Sequence, residues 1–405
     1  MGPLSGLRVI ELAHIMAGPV CGRMLADLGA DVIKVEKPPE GDPSRSFLPP
    51  DVDGESAAFM MLNRNKRGIA VDLKTDLGPE IVRRLLRRAD VVIENYREGT
   101  MERLGLGYDS LQADNPGLIL CEISGFGRTG PAAGLGGFDL IAQGYSGLMS
   151  ITGEGEGRPP VKVGAPVTDI TAGILAALGV LAAYLHRLRT GLGQRVDTSL
   201  FEAGITQTYW QAAIALATGT SPGPLGSAHP LNAPYQAFRT SDGWINVGAA
   251  SQATWDRLVD VVELPDLRKE ARFRENQDRM RNVAPLVAIL GPRFRERTTT
   301  HWLAKLEAAG VPAGPVLTVG EMLEHPQTRA RGMVTEVIHS RLGRVRTLGF
   351  PIHFSATPSE VRSGAPVLGE HTREVLREAG YADREIDELS ANNVVRCEHP
   401  LKADS

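Results

Sequence analysis

One carboxylate stands apart in this chain. Asp169 lies in the stretch Val163-Gly164-Ala165-Pro166-Val167-Thr168-Asp169-Ile170-Thr171-Ala172-Gly173, and an apolar run from Ile174 to Leu185 follows. The run is shorter than a membrane span and longer than an ordinary strand, which predicts a buried helix with Asp169 at or near its N-cap. Two chemistries fit that placement. Aspartate commonly caps helices through its side chain. A carboxylate desolvated at the positive end of a buried helix is also a competent nucleophile. Judged on this stretch alone, capping is the favoured reading, and what lies elsewhere in the chain has to decide. A second group with chemical potential comprises His14, Lys37, Lys74, Asn95, Tyr96 and Arg103, each just beyond a strand-like segment. Three cations and an asparagine suit a phosphate-rich ligand, while each residue singly also reads as an ordinary loop residue.

The elements that must position these residues follow a βα rhythm. Leu7–Leu12 alternates like a strand, and Ala13-His14-Ile15-Met16-Ala17-Gly18-Pro19 leads into a helix, with Pro19 as its first residue and Gly29 after its end. Ala30–Glu36 is the next strand, so the opening is a βαβ unit with a parallel sheet and a right-handed crossover. The glycine fingerprint of dinucleotide folds is absent, since Gly18 and Gly22 do not make G-x-G-x-x-G. A long connection, rich in Pro and Gly, runs from Lys37 to Asn65 and reads as functional or poorly ordered. Strands are expected at Ile69–Leu73, Val91–Glu94, Leu118–Ile123 and Arg195–Ser199, with helices at Pro79–Arg88, Met101–Leu104 and Leu200–Ala217. In such doubly wound sheets, ligands sit at the carboxyl ends of the strands. The segment 218–234 is linker-like, dense in Gly, Pro and Ser. Tyr235–Thr240 and Trp244–Val247 flank Ser241-Asp242-Gly243, a hairpin signal. Helical stretches follow near 252–262, 278–289 and 298–309, then a strand-like pattern from Gly332 to Phe354 and a last helix opened by Leu368-Gly369-Glu370-His371-Thr372.

The chain has 405 residues, enough for two domains, with 42% apolar and 23% charged residues and a formal net charge of −4. That balance is ordinary for a soluble globular protein and argues against nucleic acid as a partner. Arg83, Arg84, Arg87 and Arg88 alternate with Ile81, Val82, Leu85 and Leu86, the wet face of an amphipathic helix rather than a basic binding patch. Cys21, Cys121 and Cys397 are too few for a disulfide framework and have no metal-ligand spacing with the nine histidines. The start has no apolar signal region, so a cytoplasmic compartment and no membrane association are expected.

Taken in order, the following motifs resemble those of the class III CoA-transferases, the CaiB/BaiF family: Ala17-Gly18-Pro19; Gly29-Ala30-Asp31-Val32-Ile33-Lys34-Val35-Glu36; Asn63-Arg64-Asn65-Lys66-Arg67; Glu94-Asn95-Tyr96; Gly125-Phe126-Gly127; Gly153 followed by Pro159; Thr168-Asp169; Gly310-Val311-Pro312; and Leu368-Gly369-Glu370-His371-Thr372. The resemblance covers nearly the whole chain. It implies an α/β fold with a large, Rossmann-like, doubly wound domain built from both chain ends, at 1–217 and 331–405. A smaller α+β domain at 235–330 would be inserted after the linker at 218–234. It also implies an interlocked homodimer, which pattern reading alone would not suggest because threading is rare.

The resemblance further implies that Asp169 is the nucleophile and that Met16, Ala17, Lys37, Leu73, Lys74, Asn95, Tyr96, Arg103, Gly136, Gly137, Phe138 and Asp139 contact coenzyme A. Acyl-CoA and a small carboxylic acid would be the substrates, with no tightly bound cofactor and no metal. Asp169 would attack the acyl-CoA thioester to give a mixed anhydride, and the thiolate would return to give an aspartyl-CoA thioester for the acceptor acid to attack. Some positions depart from relatives. The racemase branch has a catalytic His where this chain has Phe138, which counts against a racemase. Ser227-Ala228-His229-Pro230 replaces the glycine run of formyl-CoA enzymes. His14 is given no role. The pattern is most similar to dicarboxylate transferases of the succinyl-CoA type, with an acyl-CoA racemase and a non-catalytic acyl-CoA-binding protein as the rival readings.

Overall fold

The structure, a computed structural model, describes residues 2–398. Met1 and residues 399–405, to which the expected domain ranges extend, lie outside the described residues. The chain forms two compact units. The first contains residues 1–147, 163–207 and 326–405, and the second contains 148–162 and 208–325.

The first unit is organised on a seven-stranded sheet. Its strands are β1 (Arg8–Glu11), β2 (Asp31–Glu36), β3 (Arg67–Val71), β4 (Val91–Glu94), β5 (Ile119–Ser124), β6 (Arg195–Ser199) and β7 (Val395–Arg396). Their order is β7-β3-β2-β1-β4-β5-β6, all parallel except β7, which pairs antiparallel with β3. The chain leaves β1 toward β2 on one side and returns to β4 on the other. The carboxyl ends of β1 and β4 therefore flank a topological switch point, where ligands of open α/β sheets bind.

Both faces of the sheet are covered, and the strand sequences show it. Alternate residues point to opposite faces. Val9, Val32, Val91 and Ile93 face a layer that includes α1 (Ala17–Asp27). Ile10, Ile33, Val92 and Leu120 face a layer that includes α2 (Leu77–Leu86) and the helices at Thr372–Glu378 and Asp383–Ala391. The β1, β2, β4 and β5 strands therefore carry apolar residues on both faces, as parallel strands buried on both sides do, with charged Lys34 and Glu122 set inside β2 and β5.

The Asn63-Arg64-Asn65-Lys66-Arg67 motif ties the two ends of the chain together inside this unit. Arg64 donates to Asp27 at 2.7 Å and to Thr347 at 3.2 Å. Asn65 donates to Asp27 at 2.8 Å and accepts from the Arg362 amide at 2.6 Å. Arg67 pairs with Asp31, Glu374 and Glu378 at 2.7–2.8 Å. This motif is a structural clasp.

Several expectations are revised. The connection between Lys37 and Asn65 contains a 3-10 turn at Pro43–Ser46, a two-residue hairpin and a helix at Ala57–Asn63 capped by Ser56. The helix at Leu200–Ala217 is broken at 207–208. Its second half belongs to the second unit, which also takes residues 148–162, and residues 326–330 fall in the first unit. Domain boundaries at 217, 235 and 330 are thus displaced, because unit membership follows packing rather than the Gly- and Pro-rich composition of 218–234.

The helix after Asp169, α3 (Val167–Thr190), has 24 residues, long and apolar enough to cross a bilayer. One face packs in the unit's core through Ala172, Ala176, Val180 and Ala183. The opposite face carries Ile174, Leu178, Leu185 and Leu188, which are 44–65% exposed. The expectation of a helix buried all round is therefore corrected: spacing of i, i+4, i+11 and i+14 lines an open apolar stripe.

The second unit has its own core, in which Phe238, Trp255, Phe294 and Trp302 are buried. The expected hairpin is present, with Tyr235–Arg239 antiparallel to Trp244–Gly248 and Ala313–Pro315 added as a third strand.

Candidate active site

Two cavities open at the carboxyl ends of the first unit's strands, and they share a wall. One, of about 660 Å³, is lined by Lys37, Leu73, Lys74 and Tyr96 together with Glu40 and Thr100. The other, of about 270 Å³, is lined by Met16, Asn95, Gly125, Gly137, Phe138 and Asp169 among others. His14 and Tyr96 line both. Their rings stand 5.1 Å apart and tilted.

The turn that forms this wall is held by side chains on three successive residues. The Ala13 carbonyl accepts from Lys34 Nζ at 2.8 Å. Asn95 accepts from the His14 amide and donates to its carbonyl, each at 2.9 Å, which stitches the loops after β1 and β4 together. The Ile15 amide donates to the Asp42 carboxylate at 3.1 Å. Ile15 has φ +64°, a strained conformation for a β-branched residue. Behind it lies a fully buried ionic cluster. Lys34 bridges Glu11 at 3.0 Å and Asp42 at 2.8 Å, and Lys66 reaches Glu11 at 2.8 Å. Burial opposes the charge of Lys34, but Glu11 and Asp42 outweigh it and raise its pKa. For Lys66 burial prevails and brings its pKa down to about 8. Asp42 stays well below the ordinary carboxylate range, because Lys34 and Ser44 overcome the burial that would push it up.

Asp169 is the third residue of α3, and Pro166 occupies the N-cap position. Its side chain makes no cap hydrogen bond. Capping is done by Asp139, from α4 (Asp139–Tyr145), whose Oδ1 accepts from the Thr168 amide at 3.0 Å and its hydroxyl at 2.8 Å. The other Asp139 oxygen accepts from Gln143 at 2.8 Å. Asp169 therefore has no capping duty and faces the smaller cavity. Burial, with the nearby charge of Asp139, pushes its carboxyl up to about 7. A carboxylate held this way is more basic, and so more nucleophilic, than one in water.

Backbone close approach shapes the rest of the pocket. A Cβ on Gly173, one turn beyond Asp169, would lie 2.6 Å from the Ala17 carbonyl oxygen, so glycine lets α3 reach α1 where Met16 and Ala17 stand. Gly125 and Gly137 pack backbone to backbone, and a Cβ on Gly137 would sit 2.5 Å from the Gly125 Cα. The amides of Gly136 and Gly137 have no hydrogen-bond partner among the described residues, leaving two N–H groups at the pocket wall.

The sequence-derived residues thus divide. Met16, Ala17, Asn95, Tyr96, Gly136, Gly137 and Phe138 line the cavity of Asp169, and Lys37, Leu73, Lys74 and Tyr96 line the larger one. Lys37 is paired with Glu40 at 3.1 Å. Arg103 lines neither; it is exposed and donates to Thr100 at 2.8 Å. Asp139 also lines neither, because its carboxylate is turned onto Thr168 and Gln143. Sequence reasoning missed Asp42, although an Asp before Pro43 is an N-cap signature. Its Ser44 contacts fit that signal, but its bond to Ile15 is tertiary.

A doubly wound sheet with a cleft at its switch point and a carboxylate without capping duty in an adjoining pocket defines an α/β protein with room for a long ligand beside that carboxylate. Residues 4–372 match the model of CoA-transferase family III. The chain is 40% identical to a succinate–glutarate CoA-transferase of Agrobacterium fabrum, over 94% of this chain and 97% of that one. It is 37% identical to the succinyl-CoA:glutarate CoA-transferase of Mus musculus, over 99% of this chain and 92% of that protein. Among solved structures, a CAIB/BAIF family protein from Brucella suis superposes with a TM-score of 0.83 at 42% identity, over 93% and 99% of the two chains. The chain belongs to CoA-transferase family III and is an enzyme of that class.

Proposed function

We propose that the enzyme moves coenzyme A from an acyl-CoA donor, succinyl-CoA being the one its relatives suggest, to a small dicarboxylic acid through covalent chemistry on Asp169. The observation that carries this reading is a partly buried carboxylate, relieved of capping by Asp139 and open to a cavity that adjoins a second cleft. The cleft lined by Lys37 and Lys74 would take the phosphates of CoA, and the thioester would enter the smaller cavity between His14 and Tyr96. Asp169 attacks the thioester carbon, and the C–S bond breaks to leave thiolate and a mixed anhydride. The thiolate attacks the aspartyl carbonyl and releases the donor acid. The acceptor carboxylate then attacks the aspartyl-CoA thioester, and the thiolate closes the cycle on the new anhydride. The N–H groups of Gly136 and Gly137 are suited to stabilise the oxyanions.

The test is trapping. Wild type given succinyl-CoA without acceptor should accumulate an adduct that hydroxylamine converts to a hydroxamate on the peptide holding Asp169. Asp169→Asn and Asp169→Ala should fold, bind CoA and transfer nothing. An adduct in the Ala variant would place the nucleophile elsewhere. Exchange of the α-proton of a 2-methylacyl-CoA without transfer would favour the racemase reading, and CoA binding with neither reaction would favour the non-catalytic one.

The assembly expected from the resemblance is a homodimer, supported by the open apolar stripe of Ile174, Leu178, Leu185 and Leu188 on α3. A stripe of this length is the kind of surface that a second copy covers.

A further inference from the structure

His14 is the residue that the chemistry above leaves without a task, and three observations bear on it. It lines both cavities, in the wall that they share. Its backbone is pinned on both sides by Asn95, and the next residue by Asp42, so the ring starts from a fixed point. Its Nδ1 is shut off from solvent and has no hydrogen-bond partner among the described residues.

A buried imidazole nitrogen with no acceptor nearby is a costly place for a proton and a cheaper place for a lone pair, because an orphaned donor is the rarer and worse defect. The neutral ring therefore keeps its proton on Nε2, and the edge of the ring still open to the cavities is the one away from Nδ1. Burial, then Lys34, lowers the pKa of His14 against the opposing pull of Asp42, Glu11 and Glu36, which keeps the ring neutral.

We propose that His14 presents its Nε2–H to the sulfur of coenzyme A and holds the thiolate in place during the anhydride stage. The proposal rests on the Asp169 chemistry above. When Asp169 displaces the thiolate, the electron pair of the C–S bond goes to sulfur. The sulfur accepts the Nε2–H hydrogen bond without taking the proton, then attacks the aspartyl carbonyl. No proton is gained or lost, as a neutral ring requires. If the thiolate escaped at this point, water would open the anhydride, and the net reaction would be acyl-CoA plus water giving acid plus free thiol. His14 thus separates transfer from hydrolysis, although it takes no part in bond making.

The side-chain amide of Gln reaches the place of Nε2, while that of Asn reaches only the place of Nδ1. His14→Gln should keep transfer within a few-fold of wild type. His14→Asn and His14→Ala should lose turnover by roughly tenfold or more, as the loss of a charge-assisted hydrogen bond implies. They should also release more free thiol per transfer event from succinyl-CoA with glutarate as acceptor, read with a thiol reagent beside mass spectrometry of the products. CoA affinity measured by calorimetry should change far less than turnover. Wild-type turnover and thiol release in the Ala and Asn variants would overturn the role of His14 while leaving Asp169 untouched. Absence of the Asp169 adduct in wild type would instead overturn the reading on which it rests. If the Ala variant does not fold, the Gln and Asn pair decides: equal activity in the two counts against the proposal.

Discussion

At the scale of single residues, the site is a problem of carboxylate management. Asp139 and Asp169 are neighbours with opposite tasks. Asp139 is held by Thr168 and Gln143, whereas Asp169 has no hydrogen-bond or ion-pair partner among the described residues. Because the Asp169 carboxyl sits near 7, its reactive ionised form is lost as pH falls through that value. The pH profile of kcat/KM for succinyl-CoA should therefore rise through about pH 7. Asp139→Asn keeps an acceptor for Thr168 and leaves the burial that chiefly raises Asp169 in place, but removes the charge that adds to it, so its acid limb should move part of the way to lower pH. An unmoved limb would show that another group sets it.

The same shift has a cost in stability. A carboxyl raised on folding favours the protonated native state, so its penalty begins above the unfolded value near 4, grows toward 7 and then levels. Asp169→Asn should accordingly gain thermal stability over wild type across that window and hold the gain constant above it, as thermal unfolding at several pH values will show.

At the scale of elements, three segments have to converge: the turn after β1, the start of α3 and the glycine loop before α4. Gly173 sets how closely α3 approaches α1. Gly173→Val should cost about 1–3 kcal/mol, as overpacking does. If the phosphates of CoA sit by Lys37 and Lys74 as proposed, it should lower kcat more than it weakens CoA binding. Equal loss of kcat and affinity would mean that the crossing does not position Asp169.

Much of this level is legible in the sequence. Strands β1, β2, β4 and β5 announce themselves through clusters of branched apolar residues, and Asp169 is marked by the apolar run that follows it. What stays hidden are relations between distant segments. Nothing near Asp169 says that Asp139 will do the capping, and nothing near Asp42 says that it will hold the Ile15 amide. The helix at Ala57–Asn63 is missed because only seven residues form it inside a long connection that reads as a loop, and Arg103 and Asp139 lie outside both cavity linings because nearness in sequence to a strand end or to a cavity loop does not fix where a side chain points. Half the surface of α3 is misread for a related reason: an apolar run is the same whether its second face meets this chain or another.

At the scale of the whole molecule, that second face makes the strongest demand. If a second copy covers it, Leu178→Asp combined with Leu185→Asp should yield monomers or insoluble protein, whereas wild type should remain dimeric at nanomolar concentration by mass photometry. A folded wild-type monomer at that dilution would remove the dimer from the account.

The closing strand has a consequence for how the protein is made. Pairing of β7 at Val395–Arg396 with Ala70–Val71 joins positions near opposite ends of the chain, and the helices at Thr372–Glu378 and Asp383–Ala391 cover one face of the sheet. A ribosome that has finished β3 must add roughly 300 further residues before that face is roofed, a wait of tens of seconds at about 5–20 residues per second. Throughout that interval Ile10, Ile33, Ile69 and Val71 lack part of their native cover, while most of the second unit, residues 208–325, emerges as one continuous stretch and is free to fold first. Truncation of the last strand should therefore be felt first as aggregation of newly made chains, read as their insoluble fraction, and only then as lost catalysis.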